Sequence, residues 1–180
     1  MERIDLSILI MGKICSGKST LAKDFSKWLN YPIASFGSYL ENYALANGLS
    51  TNRESLQNLG AHMIEEDHES LLNNVVLHTT LKPERLIFEG VRHKVIYDDI
   101  KRKSDKFFSL YLDVREDIRI ERFIRREKFI DKNANAIDDF YKRSNHHVEQ
   151  ELDLLKNECN YIIVSNDNYK DFLQALAINT

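Results

Sequence analysis

The chain has 180 residues, 43% hydrophobic and 29% charged, with 25 Lys and Arg against 28 Asp and Glu for a net charge of −3. That is apolar material for one buried core; it excludes a disordered chain, and the charge balance lacks the basic excess of a nucleic-acid-coating protein. Six glycines and two prolines exclude collagen-like and proline-rich classes, and two cysteines, Cys15 and Cys159, are too few for a disulfide scaffold. A reducing cytoplasm is the expected compartment. The run Ile8-Leu9-Ile10-Met11 is too short to span a bilayer, and the N-terminus does not read as a signal peptide.

Short apolar runs alternate with helical periodicity, the pattern of an α/β protein with a parallel sheet. Leu6 to Met11 reads as a buried strand. Gly17 to Asn30 reads as a helix with Leu21, Phe25, Trp28 and Leu29 on its core face. A strand at Ile33 to Phe36 precedes a helix from Ser38 to Asn47 that stops at Gly48. Thr51-Asn52-Arg53-Glu54 has the spacing of a capping box, with Thr51 as cap, opening a helix to about Leu77. Leu86 to Phe88 is a third strand with Glu89 at its end, and Val95 to Arg102 a short helix. Phe107 to Leu112 is a fourth strand, followed by a helix from Glu116 to Lys128 and a polar loop from Phe129 to Ile137. A helix over Asp138 to Glu158 carries Tyr141, Val148, Leu152 and Leu155 on one stripe. Tyr161 to Val164 is a fifth strand, and Tyr169 to Ile178 a closing helix. The expected fold is a three-layer α/β/α sandwich on a five-stranded parallel sheet, whose ligands bind at the C-terminal strand ends.

Gly12-Lys13-Ile14-Cys15-Ser16-Gly17-Lys18-Ser19 fits G-x-x-x-x-G-K-[ST], between a strand and a helix as the motif requires. Glycines let successive backbone N–H groups converge on one anion, and the helix N-terminus adds partial positive charge. The nucleotide-binding set is therefore residues 12–20, including Thr20. Lys18 is expected on the β- and γ-phosphates of ATP and the Ser19 hydroxyl on Mg²⁺. Cys15 is either a thiol activated by the loop amides or a small side chain that fits there.

Three segments carry a resemblance to a family: the loop GKICSGKST, the helix segment RESLQNLG from Arg53 to Gly60, and the turn Phe88-Glu89-Gly90-Val91-Arg92-His93. Together they resemble the nucleoside monophosphate kinase-like kinases, in particular phage-type deoxynucleoside monophosphate kinases and their dephospho-CoA kinase-like relatives. The resemblance implies one kinase domain. Its core is 1–37, 82–114 and 159–180, its acceptor-binding helices are 38–81, and a helical lid lies at about 115–140. It further implies Mg²⁺ and ATP, small-molecule nucleotide substrates and no membrane partner. Relatives more often carry Asp where Glu89 stands, so Glu89 is expected at Mg²⁺ directly or through water. Arg92 offers a planar fork to an acceptor phosphate. Arg53 is either a further acceptor contact or a solvated helix-start charge. Gln57, one turn on, either reads a base edge or is helix surface. Ser165, Asn166 and Asp167 fall where related kinases contact adenine.

Arg115, Arg119, Arg122 and Arg126 lie within an arc of about 60°, with Arg125 beside it. Like charges so placed repel unless an anion or the nearby Glu116, Glu121 and Glu127 neutralise them. Arg122 and Arg126 are the candidates for catalytic contact with the transferring phosphoryl group, alongside Lys18 and Arg92. Ile120, Phe123 and Ile124 are expected on the core. The adjacent His146 and His147 point to different helix faces, which disfavours a metal site there. Aromatic residues are not interleaved with the arginines, which disfavours nucleic acid.

An acceptor phosphate is already ionised, whereas a hydroxyl acceptor benefits from a base. Dephospho-CoA kinases and related hydroxyl kinases tend to carry an Asp after the second strand; here Ser35-Phe36-Gly37-Ser38 has none, and Glu41 is the nearest carboxylate. The leading expectation is a kinase of (deoxy)nucleoside monophosphates. The alternatives are a hydroxyl kinase of the same fold, for dephospho-CoA, a nucleoside or a modified base, and a non-catalytic nucleotide-binding module.

Overall fold

Strand β1 (Ile4–Met11) is apolar toward both faces, as a central strand of a covered parallel sheet must be. Leu6, Ile8 and Ile10 face one layer; Leu9 and Met11 face the other. The structure, a computed structural model, describes residues 3–80, 82, 84–127, 134–145, 147–164, 172–174 and 176–177. Five parallel strands run in the order β2-β3-β1-β4-β5, with β2 Ile33–Ser35, β3 Arg85–Glu89, β4 Ser104–Leu112 and β5 Tyr161–Ile163. Helices cover both faces, so the three-layer sandwich is the observed fold. Among the described residues no helix is long and apolar enough to cross a membrane.

Helix α1 (Lys18–Leu29) starts at Gly17 and packs Ala22 and Phe25 on one face of the sheet, where Phe172 stacks on Phe25 at 5.4 Å. Trp28 departs from expectation: it is 58% exposed. It lies about 60° round the helix from Phe25, off the line of Ala22 and Phe25 that meets the sheet. Helix α2 (Phe36–Ala46) is capped by Ser35, whose hydroxyl accepts the Ser38 N–H. It ends as expected at Gly48, past which the Leu49 N–H returns to the Ala44 carbonyl at 2.8 Å.

Helix α3 (Arg53–Thr79) is capped by Asn52 rather than Thr51: the Asn52 side chain accepts the Ser55 N–H at 2.9 Å. The amide takes the helix entry, so Glu54 falls one place short of a capping-box position. A second difference is a break at Asp67 (φ −162, ψ 88), whose carboxylate accepts the Ser70 N–H and recaps the helix midway. The latter half buries Leu71, Leu72, Val75 and Val76 against the sheet. It is tied to α4 (Lys94–Lys103) by Arg102, which bridges buried Asp99 and exposed Glu69 at 2.5 and 3.1 Å. His68 also stands 3.4 Å from Asp99, but Arg102 and Lys103 already supply this cluster with its cations.

Helix α5 (Glu116–Arg126) is followed by α6 (Ala134–Ser144) and α7 (His147–Glu158). One helix was expected over 138–158, with loop before it. The chain is already helical at Ala134 and breaks at Asn145, because its two apolar stripes serve different cores. Ala136 and Phe140 are buried, Phe140 against Phe123 of α5, while Leu152 and Leu155 join the main core. Phe140 thus takes the position expected of Tyr141, which is 38% exposed. Residues 128–133, His146, residues 165–167 and half of the expected last helix lie outside the described residues, and its described residues 172–174, 176 and 177 are helical.

Candidate functional site

Sheet register assembles the site. The ends of β1, β3 and β2 lie side by side, with Glu89 opposite Ile10 on one side and Ser35 on the other. Directly after β1 the chain enters residues 12–19. Gly12 sits at φ +143, and a Cβ there would meet Ser16 Oγ at 2.7 Å and the Leu112 carbonyl oxygen at 2.8 Å. Only glycine turns the loop this tightly against β4. Ser16 is buried, and its Oγ has no hydrogen-bond partner among the described residues.

Lys18 Nζ donates to the carbonyls of Gly12 (2.7 Å) and Lys13 (2.8 Å), arching over the loop. The Ser19 hydroxyl donates to Glu89 Oε1 at 2.6 Å, and Ser35 Oγ lies 3.4 Å from Glu89 Oε2. Ser19 and Glu89, the expected Mg²⁺ pair, are therefore in contact, and Ser35 joins them. Ser35 carries no sequence signal for this role, because its stretch offers no carboxylate and a strand-end serine is common. The side chain of Lys13 turns away from the cradle to an ion pair with Asp153 of α7 at 2.8 Å.

In front of the loop is a cavity of about 290 Å³ lined by Lys18, Ser19, Glu89, Arg53, Arg92, Arg122 and Arg126, among others. It brings together four arginines from three separate segments. Arg122 half-buries itself on the loop, donating to the carbonyls of Ser16 (3.0 Å) and Cys15 (3.3 Å). Arg126 is exposed, paired with Glu127 at 2.8 Å and set over the Phe123 ring. The other arginines of the stripe go elsewhere. Arg119 is buried over the Phe140 ring and donates to the Val114 carbonyl, while Arg115 is an exposed helix cap paired with Asp117. Below the arginines, Ile14 packs with Phe123 and Phe140, and Cys15 and Ile120 adjoin them. Cys15 itself adopts φ 61, so the loop bends there as well.

A second cavity, about 320 Å³, opens beside the first and shares Lys18, Glu89, Arg53 and Arg92 with it. Phe36, Leu40, Leu56, Ile64, Val91 and Ile96 give it apolar walls. Gln57, one turn beyond Arg53, is not helix surface: it is 8% exposed, lines this cavity, and its Nε2 has no partner among the described residues. Gly90 (φ +87) redirects the chain after β3 in the left-handed region that favours glycine, although a Cβ there would meet Phe36 and Gly37 only at ordinary contact distance. Glu41 also lines the cavity, as does His93, which was not singled out from sequence. On the opposite side of the loop, Thr20, Leu21, Leu112, Val114, Arg122, Arg125 and Ile163 surround a broader open cleft.

Both cysteines are free thiols. Burial pushes the Cys159 thiol up to about 12, and it donates to the Leu155 carbonyl. Cys159 is expected to stay unlabelled by a thiol reagent at neutral pH until the protein is denatured, as mass spectrometry of native and unfolded samples would read. Native labelling at the rate of an open thiol would contradict this.

The comparisons accord with this geometry. Shikimate kinase from Aquifex aeolicus superposes with a TM-score of 0.58 at 16% identity, covering 96% of this chain and 97% of that one. Shikimate kinase from Acinetobacter baumannii, in complex with shikimate, gives 0.56 at 16% identity over 99% and 96%. TT1252 from Thermus thermophilus gives 0.58 at 16% identity over 98% of both. At such identities the likeness is one of fold, that of P-loop kinases. No curated protein matches the sequence. A family model described as an AAA domain matches residues 8–149, a span that takes in the phosphate loop, both arginine-lined cavities and helix α5. This chain belongs to the AAA domain family.

Proposed function

We propose that the protein is a Mg²⁺/ATP-dependent phosphotransferase whose acceptor is a nucleoside monophosphate. The observation that carries this reading is the sharing of Arg53 and Arg92 between the loop-side cavity and the adjoining apolar one. An acceptor lying in the apolar cavity with its phosphate at that junction would face the loop.

The residues present fit the groups the motif implies. The orphaned Ser16 hydroxyl and the tight cradle at Gly12 suit a bound polyphosphate. Ser19 and Glu89 would hold Mg²⁺, which when bound neutralises charge on the β- and γ-phosphate oxygens. Lys18 would exchange its two loop carbonyls for donor phosphate oxygens. Arg53 and Arg92 orient the acceptor phosphate and offset its repulsion from the donor, and Arg122 and Arg126 stabilise the transferring group from the α5 side. No general base is required, because the attacking phosphate oxygen carries no proton to remove. Apolar walls and the buried Gln57 amide suit a base ring with one accepting atom.

One observation favours a hydroxyl acceptor instead: Glu41 lines the same cavity, and a carboxylate there could take a hydroxyl proton. A coupled ADP-release screen over common ribo- and deoxynucleoside monophosphates, nucleosides and dephospho-CoA separates the two. Turnover of a monophosphate is expected, indifferent to Glu41→Gln. Turnover of hydroxyl acceptors alone, lost in Glu41→Gln, would transfer the assignment to a hydroxyl kinase. Nucleotide binding with no acceptor-dependent ADP would overturn both.

A further inference from the structure

His93 follows Arg92 and lines the acceptor cavity, and its partner comes from another layer of the fold. Its Nδ1 lies 3.0 Å from Glu151 Oε1, and the other oxygen, Oε2, accepts the Lys94 N–H at 2.8 Å. Glu151 stands on α7, so one carboxylate both caps α4 and grips the imidazole. The ring's side chain is only 16% exposed.

This contact sets the tautomer of the neutral ring. An ionised carboxylate has no proton to give, so in the neutral imidazole the Nδ1 carries the hydrogen and Nε2 keeps a lone pair. A carboxylate-bound histidine is held in that tautomer and in one orientation. The same cavity contains a complementary group, the Gln57 amide Nε2, buried and without a partner among the described residues. His93 also borders an adjoining cavity lined by Glu151, and its Nε2, turned toward the acceptor cavity, would add one acceptor to the buried Gln57 donor.

We propose that His93, oriented by Glu151, is a specificity-determining residue: its Nε2 accepts a hydrogen bond from an N–H group of the acceptor molecule, so that preferred acceptors carry both an N–H donor and a carbonyl or ring-nitrogen acceptor. That describes the edge of a nucleobase and excludes a plain polyol. The inference rests on the proposed kinase function for its substrate, but the tautomer can be measured without one. Glu151 is a positioning residue. Its carboxylate bonds the His93 ring and the Lys94 N–H, away from Ser19 and Glu89, and it acts through the imidazole.

The experiment has two arms on the full chain. In the first, ¹⁵N NMR of the histidine rings, with His93→Gln for assignment, is expected to show His93 in the Nδ1–H form, and Glu151→Gln to lose that preference. In the second, nucleoside monophosphates and polyol phosphates are titrated against the His93 signals and assayed for turnover. Base-bearing acceptors are expected to shift Nε2; polyol phosphates are not. His93→Phe, which keeps a ring and removes both nitrogens, is expected to raise the acceptor KM about tenfold, the worth of one hydrogen bond to a ligand. Its kcat and KM for ATP should hold within about twofold, as uniform ground-state binding is lost. His93→Gln, whose carbonyl can still accept, is expected to recover part of the loss. An Nε2–H tautomer in the unmodified protein, no Nε2 shift with any acceptor, or an unchanged acceptor KM in His93→Phe would each overturn the proposal. Turnover without a shift at His93 would leave the kinase reading standing and this one fallen.

Discussion

Replacing Lys18 with alanine is expected to lower phosphoryl transfer by about a hundredfold to a thousandfold, with the fold intact. The magnitude follows from the loss of one preorganised charge aimed at the developing transition state, typically about 10² to 10³ in kcat for a single donor. The Lys18 ammonium is anchored directly on the loop carbonyls of Gly12 and Lys13, so it needs little movement to reach a polyphosphate in the cradle. Single-turnover assays at saturating ATP measure the effect, with circular dichroism and thermal melting as controls. Turnover near that of the unmodified protein would remove Lys18 from the mechanism.

Arg92→Ala is expected to cost about 2–3 kcal/mol in kcat/KM for the acceptor, or about a hundredfold, because a charge-assisted pair to phosphate is lost. ATP affinity should change little, since Arg92 follows β3 on the acceptor side of the loop, whereas the cleft beside Leu21, Val114 and Ile163 lies on the other. Arg92→Lys should recover only part of the loss, because an ammonium cannot make the bidentate contact. Steady-state kinetics with varied acceptor at fixed ATP separates these outcomes. An unchanged kcat/KM in Arg92→Ala would mean that the acceptor phosphate lies elsewhere, and would undo the reading built on the two joined cavities.

Elements with a local cause were legible in the sequence, and those with a distant cause were not. The strand, loop and helix over residues 4–29 follow from contiguous residues, because the loop's shape is set by its own glycines and hydrogen bonds. Glu89 and Arg92 could be named because both stand in one turn. Trp28 was misplaced because the helical period marks a broad apolar arc, whereas packing against the sheet selects its centre. The cap at Asn52 and the break at Asp67 were missed because Asn and Asp side chains compete with the helix ladder, and which side chain wins depends on where the helix docks. The single long helix expected after residue 138 divided because its halves face different apolar clusters.

By itself the sequence determined an α/β sandwich and a phosphate-binding turn, since each is encoded in neighbouring residues. Only the tertiary structure decided what surrounds that turn. It chose Arg122 and Arg126 over Arg115 and Arg119 for the cavity, set Ser35 beside Glu89, buried Gln57, and brought Glu151 of α7 onto His93. Those contacts join segments far apart in the chain, and strand register and helix docking, which fix them, are collective properties of the whole packed core.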